Sequence, residues 1–187
     1  MSVRTNVGVP SIDDILASKV THELSAKQFI LICVYFPPSG SPMLSHDDDY
    51  FDCLHEIIAS RNQLPVFLCG DFNARTGDLR TEILHADIVE EQSTPLAALQ
   101  NENPDDVKNF RGRNLIRFCS AHGLAIVNGL HYNDTVFTGG FTCFPHNGGK
   151  STVDYIICDI ESLDQVRSFE IFGSMSHSSD HLPIAVN

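Results

Sequence analysis

Two short apolar runs separated by a periodic segment dominate the first half of the chain. "FILICVY" at 29–35 is unbroken, rich in branched and aromatic residues, and stopped by Pro37 and Pro38; it predicts a buried strand. A second run at 64–69 predicts another. Between them, "SHDDDYFDCLHEIIAS" places Tyr50, Leu54, Ile57 and Ile58 at helical spacing, behind a candidate cap at Ser45 and a first turn of aspartates. That segment predicts a helix packed by one face, with acidic charge at the end where the helix dipole favours it. Strand, helix and strand in this order predict a crossover unit inside a layered α/β domain.

Further along, the pattern is weaker and then recovers. Residues 78–110, with polar clusters broken by Pro95 and Pro104, predict loops with a short helix. "RNLIRFCSAHG" carries Leu115, Ile116, Phe118 and Cys119 on a helical pattern and reaches Gly123, a C-terminal cap. "LAIVNG", "FTCFP", "TVDYIICD" and "HLPIAVN" then predict four short strands joined by glycine-rich or serine-rich loops. Polar residues collect where these strands end.

Composition narrows the picture. A chain of 187 residues with 42% hydrophobic and 19% charged positions has the balance of a globular protein, and one domain spanning 1–187 is expected. A formal charge of -12 argues against a nucleic-acid coat, which would need net positive charge. It is compatible with an acidic site that holds divalent cations, because a bound ion inverts the local electrostatics. The six cysteines include no CxxC pair and several lie in apolar runs, which fits a reducing compartment. The first residues lack a signal-peptide core and no run approaches a membrane span, so an intracellular, nuclear or cytoplasmic, non-membrane protein is expected.

Three motifs carry chemistry. "GDFN" ends the second apolar run and sets Asp71 and Asn73 on one side of the chain, a geometry that suits a water and a metal, although the motif in isolation favours a simple Asx turn. "SDH" places Asp180 and His181 just before the last strand, where an imidazole beside a carboxylate can donate to a phosphoryl oxygen. Asp154, flanked by Val153, Tyr155 and Ile157, either faces solvent from a half-exposed sheet or needs a partner, for which His181 is the candidate. A zinc hydrolase built on His177 and His181 lacks the convergent ligands such a site needs, and "HDDDYFD" lacks the glycine and terminal glutamate of a calcium loop.

Taken together, "VYFPPSG", "GDFNARTG", "STVDYIICD" and "SDHLPI" resemble the endonuclease/exonuclease/phosphatase superfamily, from about residue 28 to the C-terminus. The intervening "RGRNLIRFCSAHGLAIVNG" and "FTCFPHNGGKSTVDYI" are most similar to the endonuclease domain of non-LTR retrotransposons. The resemblance implies a DNase-like fold, an α/β sandwich of two mainly antiparallel mixed sheets flanked by helices. It implies hydrolysis of DNA phosphodiesters with Mg2+, or Mn2+ in its place. Asp71 would orient or deprotonate the attacking water and serve the metal with Asp180. Asn73 would fix the water and the scissile phosphate. His181, held by Asp154, would stabilise the phosphate, and Tyr35 would donate to it. Arg75 and Thr142 would contact substrate; Arg111, Arg113, Arg117 and Lys150 are further candidates for phosphate contacts, and Phe141 or Phe144 for a wedge into a base step. The superfamily also has an Asn-bearing strand and a metal-binding glutamate upstream of the "VYFPPSG" position. Neither Asn6 nor Glu23, which sits in an expected hairpin before Phe29, matches those motifs. An N-terminally incomplete domain with an exposed edge and apolar surface is therefore expected, together with a longer polypeptide as its natural context. An inactive remnant or binding module of the same fold is the alternative.

Overall fold

The computed structural model describes residues 14–23, 26–41, 47–82, 98–173 and 179–187. Ser45, Asn6 and His177 lie outside the described residues. The two apolar runs become strands β2 (Gln28–Tyr35) and β3 (Val66–Asp71), joined through helix α1 (Asp47–Ala59) and paired in parallel. This is the predicted crossover. A hairpin adds β1 (Ile15–Thr21) antiparallel to β2, and Glu23 sits in its turn region. On the other side β9 (Asp154–Asp159) runs antiparallel to β3, and β6 (Leu124–Ile126) antiparallel to β9, giving the order β1-β2-β3-β9-β6.

Helices cover one face of this sheet. Alternate residues Ile30, Ile32 and Val34 of β2 and Val66 and Leu68 of β3 point into a core closed by Tyr50, Leu54, Ile57 and Ile58 of α1. Helix α2 (Phe110–His122) adds Leu115, Phe118 and Cys119 to that core and ends at Gly123, whose φ of 64° is the left-handed cap the sequence predicts. Its first turn is fixed by Asn109, whose side chain accepts from the Gly112 N–H.

The opposite face has a second layer. A four-stranded sheet, β4 (Thr81–Glu82), β5 (Ala98–Asn101), β7 (Leu130–Tyr132) and β8 (Thr135–Val136), and a hairpin of β10 (Phe169–Ile171) and β11 (Ile184–Val186) surround a core of Val127, Leu130, Phe137, Ile156, Cys158 and Phe169. The protein is thus a mixed α/β fold of several mainly antiparallel sheets with few helices. Strand β9, flanked by β3 and β6, is buried along its whole length.

Three expectations change. Strand β2 is buried on one face only: Cys33 is exposed and Tyr35 is 49% exposed, so an unbroken apolar run here marks a strand at the uncovered flank of the sheet. Residues 141–145 form no strand; Cys143 alone bridges to Ser151 and to His181, because Pro145 offers no N–H and a turn closes at once from Pro145 to Gly148. The described part of 78–110 holds β4 and β5 where loops with a short helix are expected, since Leu99 finds the second core and pulls its neighbours into extended chain.

Candidate active site

The register of the five-stranded sheet assembles the chemistry. Tyr35 pairs with Asp71 across β2 and β3, and Asp71 pairs with Asp154 across β3 and β9. The three residues therefore form one row at the end of three adjacent strands, and register partners share a face. One residue back, Gly70 adopts φ 137°, and a Cβ there would lie 2.0 Å from the Val34 carbonyl oxygen. Only glycine lets the backbones approach closely enough to present Asp71 in this row.

Beyond the row the chain bends sharply. Asn73 takes φ 46°, an uncommon conformation that asparagine tolerates, and its Nδ2 donates to the Phe36 carbonyl (2.7 Å) and to Asp71 Oδ2 (3.0 Å). Its backbone N–H donates to Asp71 Oδ1 (2.8 Å), which closes the Asx turn that the sequence allows. The Asx turn and the functional geometry are one structure. The turn is clamped from outside by Asn109, which donates to the Asn73 carbonyl and accepts from the Arg75 N–H while capping α2.

His181 faces this row from the last strand segment. Its Nδ1 lies 2.9 Å from Asp154 Oδ2 and 3.0 Å from Oδ1, so the Nδ1 proton is held by the carboxylate. The other ring nitrogen, Nε2, lies 4.0 Å from Asp71 Oδ2 and 3.9 Å from Asp180 Oδ1. Burial alone would lower the His181 pKa, but the Asp154 hydrogen bond and the charges of Asp154, Asp71 and Asp180 raise it. Burial pushes Asp71 up to about 6, with the nearby Asp154 charge adding to the rise and the Asn73 N–H opposing it. The site thus holds more negative charge than its imidazole neutralises.

Supporting groups surround this cluster. Thr142, expected to touch substrate, is fully buried, and its hydroxyl oxygen accepts from the N–H groups of Val153 (3.2 Å) and Asp154 (3.1 Å). It positions Asp154 and is closed to substrate in this conformation. Asn128 donates to the Asp154 carbonyl and accepts from the Ile156 N–H. Arg75 makes a two-pronged ion pair with the buried Asp105, which also accepts from the Thr152 N–H, so its guanidinium ties the Asn73 turn to the segment leading into β9. Arg111 is 1% exposed, donates to the Pro37 carbonyl, and lies over the Phe36 ring at 6.0 Å, which removes it from the candidate phosphate contacts. Lys150 stacks on Phe141 at 4.3 Å, and the Phe144 N–H donates to the Asp180 carbonyl, so that loop borders the site. Asn109, Asn128 and Asp105 escape sequence reading because each works through backbone groups remote in the chain.

Glu23 is far from this cluster. Its hairpin joins the Thr21–Gln28 end of the β1–β2 pair, whereas Tyr35 stands at the other end. Seven residues at about 3.3 Å each separate the two ends by roughly 23 Å.

A sequence profile described as endonuclease-reverse transcriptase matches residues 29–185. The chain belongs to this family, within the endonuclease/exonuclease/phosphatase superfamily. No match is found among curated proteins. Among solved structures, the endonuclease domain of TRAS1, a telomere-specific non-LTR retrotransposon, aligns with a TM-score of 0.59 at 17% identity, covering 92% of this chain and 60% of that one. A Neisseria 3' phosphatase, NExo, bound to a product DNA hairpin, aligns with a TM-score of 0.64 at 16% identity, covering all of this chain and 71% of that one. An endonuclease/exonuclease/phosphatase family protein from Leptotrichia buccalis aligns with a TM-score of 0.53 at 14% identity, over 92% of this chain and 52% of that one. At such identities the likeness concerns the fold, and the chain spans only about 60% of the TRAS1 domain.

The endonuclease/exonuclease/phosphatase fold implies a divalent metal, and the residues here suit a hard cation. Asp71, Asp154 and His181 each offer a ligand atom within 4.8 Å of the others. With Asp154 committed to His181, Asp71 and Asp180 remain as oxygen donors on either side of Nε2. Burial is the main cause of the raised pKa of Asp71, and the neighbouring Asp154 charge adds to it, so a cation bound here would favour the ionised carboxylate. No described helix is long and apolar enough to cross a membrane.

Proposed function

We propose that the chain is a Mg2+-dependent phosphodiester hydrolase domain acting on DNA, derived from a retrotransposon endonuclease. The observation that carries this reading is the Tyr35–Asp71–Asp154 row with His181 locked on Asp154 and its Nε2 turned toward Asp71 and Asp180. The DNA-acting TRAS1 and NExo neighbours support the substrate class.

In this reading Asp71 orients the attacking water and takes its proton, and Asn73 positions that water and the scissile phosphate. His181, kept protonated by the surrounding carboxylates, donates from Nε2 to a phosphoryl oxygen and stabilises its developing charge. Tyr35, half exposed at the end of the row, donates a further hydrogen bond. Mg2+, held by Asp71 and Asp180, would supply electrostatic stabilisation of the phosphoryl charge. Thr142, Asn128 and Arg75 act as positioning residues.

A second reading, a catalytically inactive module of the same fold, draws on one observation: Glu23 lies at the wrong end of β2 to complete a metal site. Plasmid nicking separates the two. Supercoiled DNA incubated with the protein in Mg2+ is nicked, and nicking is abolished by EDTA, Asp71→Ala or His181→Ala. A folded, monodisperse sample with no metal-dependent nicking overturns the hydrolase reading and leaves the module.

A further inference from the structure

Cys143 has no part in the chemistry above, yet its thiol is turned into the site. It is 8% exposed, and its Sγ lies 3.4 Å from His181 Nε2. The contact is built by backbone pairing: Cys143 bridges antiparallel to His181, Leu182 N–H donates to the Thr142 carbonyl at 2.7 Å, and Phe144 N–H donates to the Asp180 carbonyl at 2.7 Å. Cys143, Asp180 and His181 each offer a ligand atom within 4.8 Å of the others.

We propose that these three side chains form a binding site for a soft divalent cation, Zn2+ foremost, which shuts the site rather than serving its chemistry. Ligand type separates this ion from Mg2+: a thiolate and an imidazole suit zinc, whereas Mg2+ requires oxygen. The distances fit. Zinc–sulfur and zinc–nitrogen bonds of about 2.3 and 2.05 Å at a tetrahedral angle hold sulfur and nitrogen about 3.5 Å apart. Sγ and Nε2 already stand at 3.4 Å. The same reasoning sets nitrogen and oxygen about 3.4 Å apart. Asp180 Oδ1, on a side chain 39% exposed, is at 3.9 Å and closes that gap with a small rotation.

The imidazole is also prepared. A histidine that binds zinc through one nitrogen commonly donates its other N–H to a carboxylate, which fixes the tautomer and the ring plane. Nδ1 of His181 is held in this way by Asp154, which leaves the Nε2 lone pair for the metal in the neutral ring. Binding displaces the Nε2 proton of a protonated His181 and converts the Cys143 thiol to a thiolate, both protons pass to solvent, and water fills the fourth position. Occupancy takes Nε2 and Asp180 out of use together. The resulting inhibition, though not the occupancy, rests on the phosphodiesterase reading of His181.

Cobalt(II) tests the site without any assay of activity. Added to the full chain in millimolar Mg2+, one Co2+ per chain gives a sulfur-to-cobalt charge-transfer band with tetrahedral d–d absorption, and Zn2+ bleaches both. The band disappears in Cys143→Ser and Cys143→Ala, each checked for a native melting transition. It persists in Asp71→Asn and in Cys33→Ser. Asp180→Asn, outside the core, lowers Co2+ affinity by about tenfold or more. A missing band, or one that survives removal of Cys143, overturns the proposal. In parallel, Zn2+ suppresses Mg2+-dependent nicking, and Cys143→Ser raises the Zn2+ needed by about tenfold or more. A chain that shows the cobalt band but never nicks DNA retains the zinc site and loses only the hydrolase reading.

Discussion

Strand β9 begins with Asp154 and ends with Asp159, and both are 9% exposed. The two carboxylates occupy opposite ends of one fully buried strand. Asp159 accepts from the Val66 N–H at 2.5 Å and pairs with the guanidinium of Arg61, a permanent cation. Asp154 is paired with His181, whose charge depends on pH, and faces a second carboxylate, Asp71, across the sheet. Equal burial therefore says nothing about role; the permanence of the counter-charge does. At the Asp159 end the electrostatics are closed and the result is structure. At the Asp154 end negative charge is left over, and a metal or a phosphate group supplied from outside has something to gain.

Breaking each end separates the two roles. The largest effect belongs to the open end: Asp71→Ala or His181→Ala lowers the nicking rate by about a thousandfold or more, the scale of losing a principal charge-stabilising group. Asp159→Ala acts instead on folding. Removing one partner of a buried pair costs about 3–5 kcal/mol, and because Arg61 keeps 26% side-chain exposure, about 2–3 kcal/mol is expected from urea titration.

A third change reverses the usual direction. The folded pKa of Asp71, about 6, lies above its ordinary value of 3.8, so protonation favours the folded state. That stabilisation is fully present below pH 3.8 and is lost as pH rises through 6. Relative to the native protein, Asp71→Asn should therefore gain stability between pH 3.5 and pH 8 in EDTA, by about 2 kcal/mol. Thermal melts at the two pH values measure it, and an advantage independent of pH would contradict the burial-raised pKa of Asp71. Thr142→Val, which keeps shape and removes the hydroxyl that holds the Asp154 backbone, costs about 1–2 kcal/mol of stability. Smallest of all, Glu23→Ala leaves nicking within about twofold, because surface changes remote from a site rarely matter. A large loss there would break the spatial separation of hairpin and site.

Much of this layout is legible in the chain. Tyr50, Leu54, Ile57 and Ile58 share a helical period, so α1 and the crossover it makes follow from residue spacing alone. Gly123 marks the end of α2 because few other residues accept the left-handed conformation. Asp154, set among apolar neighbours, either faces solvent or needs a partner by its sequence, and the structure buries it against His181. What stays hidden depends on register and on side chains that serve distant backbone. No local pattern reveals that Tyr35, Asp71 and Asp154 fall in one row, that Asn109 clamps the Asn73 turn, or that Thr142 and Arg111 are buried. Cys143 reads as a small apolar residue until the pairing with His181 brings its thiol to the imidazole.

The most direct measurement compares Asp154→Asn with Asp159→Asn in one nicking assay, with each rate divided by the folded fraction from its own denaturation curve. Asp154→Asn should lose about a hundredfold per folded molecule, through a misheld His181, and Asp159→Asn should change within about threefold. Equal losses at the two ends, or an Asp154→Asn variant as active as the native protein, would contradict this division of roles.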